Sequence, residues 1–253
     1  MAQTVSQAAL LLDVLMNKNG HADASRTPGS LTFGVVKGWI TKNEGVNSLF
    51  EEVKSSLSRF GITLVEVDLP EPGEVEQDDE LHVLLQEFVS DLGIYLRDRP
   101  GAMIRSLQEV VEFNRAHKPR EMVHFQQELF EMALEWGGRD SGYAVKRARN
   151  LAWANSLLAQ GLQEVDALIG CTYGPAWLST LGSGDDHASA SWITMPSAVA
   201  GTPIGTIPMG LVDGLPVGLG FVTGRNEEMN LVRAMSAAEK ALDLGVLKPT
   251  FIK

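Results

Sequence analysis

The chain has one cysteine, Cys171, in 253 residues, so neither an internal disulfide nor a cysteine-rich zinc site can form. That usage fits a reducing compartment, and a cytoplasmic location is the expectation. Positive charge is also scarce: 21 Lys and Arg stand against 32 Asp and Glu, for a net charge of -11. Nucleic acid and anionic membrane surfaces need clustered Lys and Arg, so neither is expected as a partner. No apolar run is long enough to span a bilayer. The best one, residues 1–16, is interrupted by Asp13 and has no basic leader, which argues against a signal peptide as well. There is no Gly-x-Ser-x-Gly elbow, no Walker loop and no zincin helix. The acidic stretch 70–80 lacks the spaced ligands of a calcium loop and reads as a solvated connector. His117 and His124 have no evident third ligand, and residues 218–224 miss the dinucleotide fingerprint by one residue. No metal or cofactor is expected.

What is present is an ordinary globular composition, 44% apolar and 21% charged. Thr4 caps a predicted helix whose apolar face holds Val5, Ala8, Ala9, Leu12, Leu15 and Met16. After a polar loop at 17–30, an apolar strand at 31–36, a helix at 45–60 (Val46, Leu49, Phe50, Val53, Leu57) and a strand at 62–69 form a βαβ-like unit with parallel strands. Residues 81–160 read as mostly helical, broken near Pro100-Gly101, Pro119 and Gly137-Gly138. Phe113, Phe125, Phe130, Trp136 and Trp153 are expected to pack between those helices. A short buried strand at 165–170 ends in Cys171-Thr172-Tyr173-Gly174-Pro175-Ala176-Trp177, and 181–191 is a loop.

The most informative stretch is 197–242. Two apolar runs, 204–211 and 216–222, flank Asp213-Gly214, which is a hairpin signature, and Val217, Leu219 and Phe221 share one face. The prolines Pro208 and Pro216 belong at strand starts or on an edge. A helix then starts near Asn226, with Leu231, Met235, Ala238 and Leu242 at helical spacing.

The ordered set Ala200, Gly201, Pro203, Pro208, Met209, Gly210, then 214–219, Glu227, Glu228, Ala237, Ala238 and Glu239 closely resembles the C-terminal end of amidase signature enzymes. Residues 1–15 resemble the segment that follows the catalytic core of that family, so Met1 would match an internal methionine and the chain would be truncated. Residues 106–114 and 125–130 resemble the helical insertion of the branch that includes peptide amidases. The resemblance implies an α/β fold, part of an α/β/α sandwich with a mixed sheet. The whole of 1–253 would be one C-terminal region, with a helical insertion at about 81–160 and the strand pair and helix at about 197–242. An unpaired sheet edge and an apolar face would be left where the other half docks.

The resemblance also implies the chemistry. Family enzymes hydrolyse carboxamide C–N bonds with a Ser nucleophile, a bridging Ser and a neutral Lys, and backbone amides hold the oxyanion. Those residues lie in a Gly-Ser-Ser-Gly-Gly-Ser-like region upstream of the part matched here. This chain has no such run, so no catalytic residue is assigned and the chain alone is expected to be inactive. Residues 181–184 and 189–191 share the composition but not the motif, and no lysine lies near them in sequence. The resemblance places Tyr173, Gly174 and Trp177 on the wall of the pocket for the substrate's acyl or side-chain group, with Asp185 as a polar candidate on the next loop. Trp177 capping the core is an equal alternative. The expected partners are a small-molecule or peptide amide in the full-length enzyme, and the missing N-terminal half or a second copy. Two other functions stay open: a non-catalytic binding or assembly module, and a hydrolase using Cys171 as its nucleophile with His187 as base.

Overall fold

The computed structural model describes all residues except 27–28, 183, 186–188, 246 and 248–253. The described residues form ten helices and five strands: α1 (Val5–Met16), α2 (His21–Ala24), β1 (Thr32–Val36), α3 (Glu44–Arg59), β2 (Thr63–Val67), α4 (Glu74–Arg97), α5 (Leu107–Ala116), α6 (Lys118–Glu121), α7 (Glu128–Trp136), α8 (Ser141–Gly161), β3 (Ala167–Cys171), α9 (Thr194–Ala200), β4 (Ile204–Val212), β5 (Leu215–Val222) and α10 (Glu228–Leu242). They divide into two compact units. One comprises Met1–Glu71, Ala154–Leu178 and Asp186–Lys253, and the other Pro72–Trp153 and Ser179–Asp185.

The first unit is built on a mixed sheet of order β2-β1-β3-β5-β4. β1 pairs in parallel with β2, as the strand-helix-strand pattern implies, and also in parallel with β3, while β5 runs antiparallel to β3 and β4. The period-two alternation sorts side chains cleanly between the faces. Phe33, Val35, Ala167, Ile169, Cys171, Val217, Leu219 and Phe221 enter one core with Val46, Phe50, Val53 and Leu57 of α3 and Leu231, Ala234 and Ala238 of α10. Phe33 meets Phe221 edge-on at 5.8 Å, a favourable aromatic geometry. On the opposite face Leu168 lies against Gly161 at the end of α8, where an added Cβ would come within 2.8 Å of the leucine. The first unit is therefore an α/β/α sandwich.

The β4–β5 hairpin turns through Asp213 (φ 52) and Gly214 (φ 76). Two left-handed residues in succession match the twist of the strands, which is why the Asp-Gly pair sits there. Pro208 lies on edge strand β4, next to a register shift between Pro208 and Gly210. There the missing N–H costs little. Asn226 takes φ 61, so α10 begins two residues later than the acid-flanked Asn226 suggests. Thr4 does cap α1, its hydroxyl accepting from the Gln7 N–H at 3.2 Å. The buried face of α1 is not the one expected, however. Asp13 is buried whereas Leu15 is 75% exposed. The reason is local: the Asp13 carboxylate accepts from the His21 and Ala22 backbone N–H groups, each at 3.0 Å, and bonds the His21 ring at 2.6 Å. The carboxylate thereby satisfies the open N-terminus of α2, a helix that interrupts the expected loop at 17–30. The Ala22 amide, with His21 beside it, holds the Asp13 carboxyl below the usual range.

The second unit is helical. Leu85, Leu107 and Ala133 form its buried core, with Phe88, Phe130 and Trp136 packed against them. Two expectations fail here. The acidic stretch 70–80 is not a solvated loop: α4 starts at Glu74, and the Glu76 carboxylate closes its first turn by accepting from the Gly73 N–H at 2.9 Å. Asp79 within it is fully buried, held by the Arg149 guanidinium at 2.6 and 2.7 Å. Likewise Phe113 and Phe125 are 40% and 64% exposed rather than packed between helices. The first rests on the His117 ring at 4.2 Å.

Candidate functional site

The end of β3 is where the sequence points, and its geometry follows from the strand alternation. All five residues of β3 are buried. Gly170 faces Trp39, which sits so close that no side chain fits between them. The Trp39 carbonyl accepts the Cys171 N–H at 2.8 Å. Cys171 points the other way, into the core under α3 and α10. Burial pushes its thiol up to about 12, so almost no thiolate exists at neutral pH. Fully buried and weakly acidic, Cys171 has the setting of a structural residue rather than of a nucleophile. His187, considered as its base, lies outside the described residues.

Past Cys171 the chain leaves the sheet but stays extended. The Thr172 N–H and hydroxyl both donate to the Gly218 carbonyl, at 3.2 and 3.1 Å. Opposite it runs the segment leading into α9: Gly174 N–H donates to Ser189 O at 2.7 Å, Ser191 N–H to Thr172 O at 3.0 Å, and Tyr173 bridges Ala190 in antiparallel fashion. The Ser191 hydroxyl donates to the Cys171 carbonyl at 2.5 Å. Gly174 is required by this close approach, since an added Cβ would lie 2.8 Å from Ser189 Cβ. The strap so formed presents Tyr173 and Trp177, 42% and 41% exposed, with Leu178 beyond them at 92%. Trp177 therefore does not cap the core of its unit. Asp185 is exposed and falls in the helical unit.

Two residues that the sequence did not single out frame the same strand end. Trp39, fully buried, and Trp192 meet edge-on at 5.6 Å. Each has a buried indole N–H with no acceptor. An unpaired buried donor costs about 1–3 kcal/mol, so two side by side call for an explanation. No local motif could have revealed them, because their proximity depends on β1 and β3 pairing across more than a hundred residues.

A cavity of about 370 Å³ lies at the other end of β3, lined by Asn155, Asp166, Thr202, Arg225, Glu227 and Asn230 among others. Its groups are already engaged: Arg225 donates to Ala200 O at 2.5 Å, Asp166 accepts from Thr32 N–H at 2.7 Å and Glu227 from Gly224 N–H at 3.2 Å. Among the described residues no group of three or more His, Cys, Asp or Glu side chains could hold a metal ion. No described helix is long and apolar enough to cross a membrane.

Residues 1–232 match the amidase family. The chain belongs to that family. It is 29% identical over 266 residues to a glutamyl-tRNA(Gln) amidotransferase subunit from Exiguobacterium sibiricum, an alignment covering 95% of this chain and 54% of that protein. The fold is similar to that of a peptide amidase solved with the competitive inhibitor chymostatin, with a TM-score of 0.87 and 30% identity over 99% of this chain and 55% of that one. The native peptide amidase from Stenotrophomonas maltophilia gives a TM-score of 0.85 at 28% identity, over 100% of this chain and 54% of that one. The chain thus spans about half the length of these amidase-family relatives.

Proposed function

We propose that this chain forms the scaffold and one pocket wall of an amidase-type hydrolase acting on carboxamide C–N bonds. The single observation that carries the reading is the similarity to peptide amidases along essentially the whole chain, at 30% identity and a TM-score of 0.87. The strap after β3 supports it physically: Tyr173 and Trp177 expose aromatic surface on a backbone fixed by Gly174 and Ser191, as a wall for an acyl or side-chain group requires.

Reaction chemistry belongs, in this reading, to a separate Ser- and Lys-bearing part of the enzyme. The chain alone is inactive, since no Gly/Ser-rich Ser-Ser run occurs in its sequence. As one C-terminal region it takes its helices at about 81–160 as an insertion, and its partner is the catalytic half. The test is complementation. The purified chain should not turn over aryl amides or C-terminal peptide amides. Mixing it with a separately expressed family segment bearing the Ser-Ser-Lys residues should produce turnover, and Trp177→Ala should raise KM about tenfold, about 1.4 kcal/mol of binding, with kcat little changed. Amide hydrolysis by the purified chain alone would overturn the division of labour. Turnover insensitive to substitution at both Tyr173 and Trp177 would overturn the pocket wall.

A further inference from the structure

We infer that Asn19 is a site of spontaneous modification: its side-chain amide is lost as ammonia through attack by the Gly20 backbone nitrogen, leaving aspartate and isoaspartate at this position. This goes beyond the hydrolase reading and does not depend on it.

Asparagine is a thermolabile residue, and of the nine asparagines in the chain only Asn19 is followed by glycine. The reaction needs an accessible side-chain carbonyl carbon, a following amide not already committed to a hydrogen bond, and no side chain on the following residue in the way of attack. All three conditions meet here. Asn19 is exposed on the connector between α1 and α2. The amides on either side are engaged: Asn17 N–H donates to Val14 O at 3.2 Å, Lys18 N–H to Asp13 O at 3.0 Å, and the His21 and Ala22 N–H groups to the Asp13 carboxylate, each at 3.0 Å. Between them the Gly20 N–H has no acceptor among the described residues. Gly20 takes φ 117, in the region that favours glycine, and the Met229 methyl would lie 3.2 Å from a Cβ placed there. The fold therefore calls for glycine at the one position where a side chain would hinder the attack.

Other asparagines lack one condition or another. Asn47 in α3 and Asn155 in α8 precede Ser48 and Ser156, whose N–H groups belong to the helix ladders. Asn150 is buried. Asn226 is exposed, but the next amide, Glu227 N–H, donates to Gly224 O at 3.1 Å. The step itself needs only water. The Gly20 nitrogen gives its proton to solvent and bonds to the Asn19 Cγ; the Cγ–NH2 bond breaks, and the amino group takes a proton and leaves as ammonia. Water then adds to one of the two carbonyls of the resulting cyclic imide and splits its C–N bond. Opening at Cγ restores the backbone and leaves aspartate, whereas opening at the Asn19 backbone carbonyl leaves isoaspartate. Nothing is oxidised or reduced. Either product sets a new carboxylate two residues before His21, and isoaspartate also adds a carbon to the backbone between the two helices that Asp13 ties together.

Peptide mapping of the intact chain, aged in neutral to mildly alkaline buffer, tests this. Cleavage after Lys18 and Arg26 releases residues 19–26 as one peptide. Digested under mildly acidic conditions, where the reaction is slow, that peptide should carry the mass of a carboxyl in place of an amide, in two chromatographically distinct forms, before any other asparagine peptide changes. The attacking form is the deprotonated amide, so the rate should rise about tenfold per pH unit. Asn19→Gln must close a larger ring and should slow the loss about tenfold or more, with circular dichroism unchanged. A native rate more than about tenfold below that of the chain unfolded in guanidinium chloride overturns the inference, because the fold then protects Asn19. So does earlier loss at another asparagine. Aspartate formed without isoaspartate overturns it too, since water rather than the Gly20 nitrogen would then be the attacking group.

Discussion

At the residue scale the decisive contrast is between neighbours at the end of β3. Cys171 and Thr172 are adjacent, yet the alternation of the strand sends the thiol into the apolar core and the hydroxyl toward Gly218. The thiol's pKa near 12 follows from that burial. Cys171 should therefore resist thiol reagents in the native protein and react once denaturant is added, a comparison that Ellman's reagent makes directly. Cys171→Ser should cost about 1–3 kcal/mol, because it places a hydroxyl among Phe33, Ile169 and Leu219 with no assured partner. Gly170 is the complementary case. Trp39 occupies the space a side chain would need, so Gly170→Ala should destabilise by about 1–3 kcal/mol through overpacking, measurable by urea unfolding. The sequence marks Cys171 as the one thiol and Tyr173 and Trp177 as neighbours. It does not indicate that Trp39 closes behind them, since that contact joins residues far apart along the chain.

At the element scale the helical unit carries its own register. Asp78 pairs with Lys146 at 2.9 Å, Asp79 with Arg149 at 2.6 Å, Glu87 with the Tyr143 hydroxyl at 2.7 Å, and Asp91 with Arg139 at 2.8 Å. From the Asp78 and Asp79 pairs through Glu87 to Asp91 the partner number falls from 146 and 149 through 143 to 139, which is the signature of α4 and the segment from Arg139 into the first half of α8 running antiparallel. Most such pairs are half-exposed and contribute little singly. Asp79 differs because it is fully buried. Its carboxyl is held below the usual range by the Arg149 guanidinium, as that of Asp78 is by Lys146. For a carboxylate lowered in the folded state the sign is fixed: stability is complete above the unfolded value near 3.9 and drains away as pH falls through the folded one. Hydrogen exchange along α4 should therefore be slow and pH-insensitive, beyond the intrinsic rate, down to about pH 4–5, and lose protection below. Asp79→Asn should cost about 1–3 kcal/mol at neutral pH and flatten that acid dependence. The helical periodicity of 81–160 was readable in the sequence. The first turns of α4 were not, because an acidic run reads as solvated until its cations, some seventy residues on, are brought beside it.

At the scale of the whole molecule, membership of the amidase family and a span of about half its relatives' length make what completes the chain the central question. In the function proposed above, the chain meets a Ser- and Lys-bearing half through the strap at Tyr173–Trp177, and complementation tests it. What the sequence determined by itself is whatever depends on local chemistry and short periods: the Asp213-Gly214 hairpin, the shared face of Val217, Leu219 and Phe221, the amphipathic α3, the parallel β1–β2 unit, and the ordered motif over 200–239 that carries the family. What the tertiary structure alone decided is which groups meet across long loops. Asp13 turned inward to hold α2 while Leu15 stayed in solvent, Asp79 sank beneath Arg149, and two indole donors converged unpaired at the end of β3. The physical reason is common to all three. Burial and pairing energies act between elements, and a sequence pattern reports the side a residue prefers but not the partner that the fold brings to it.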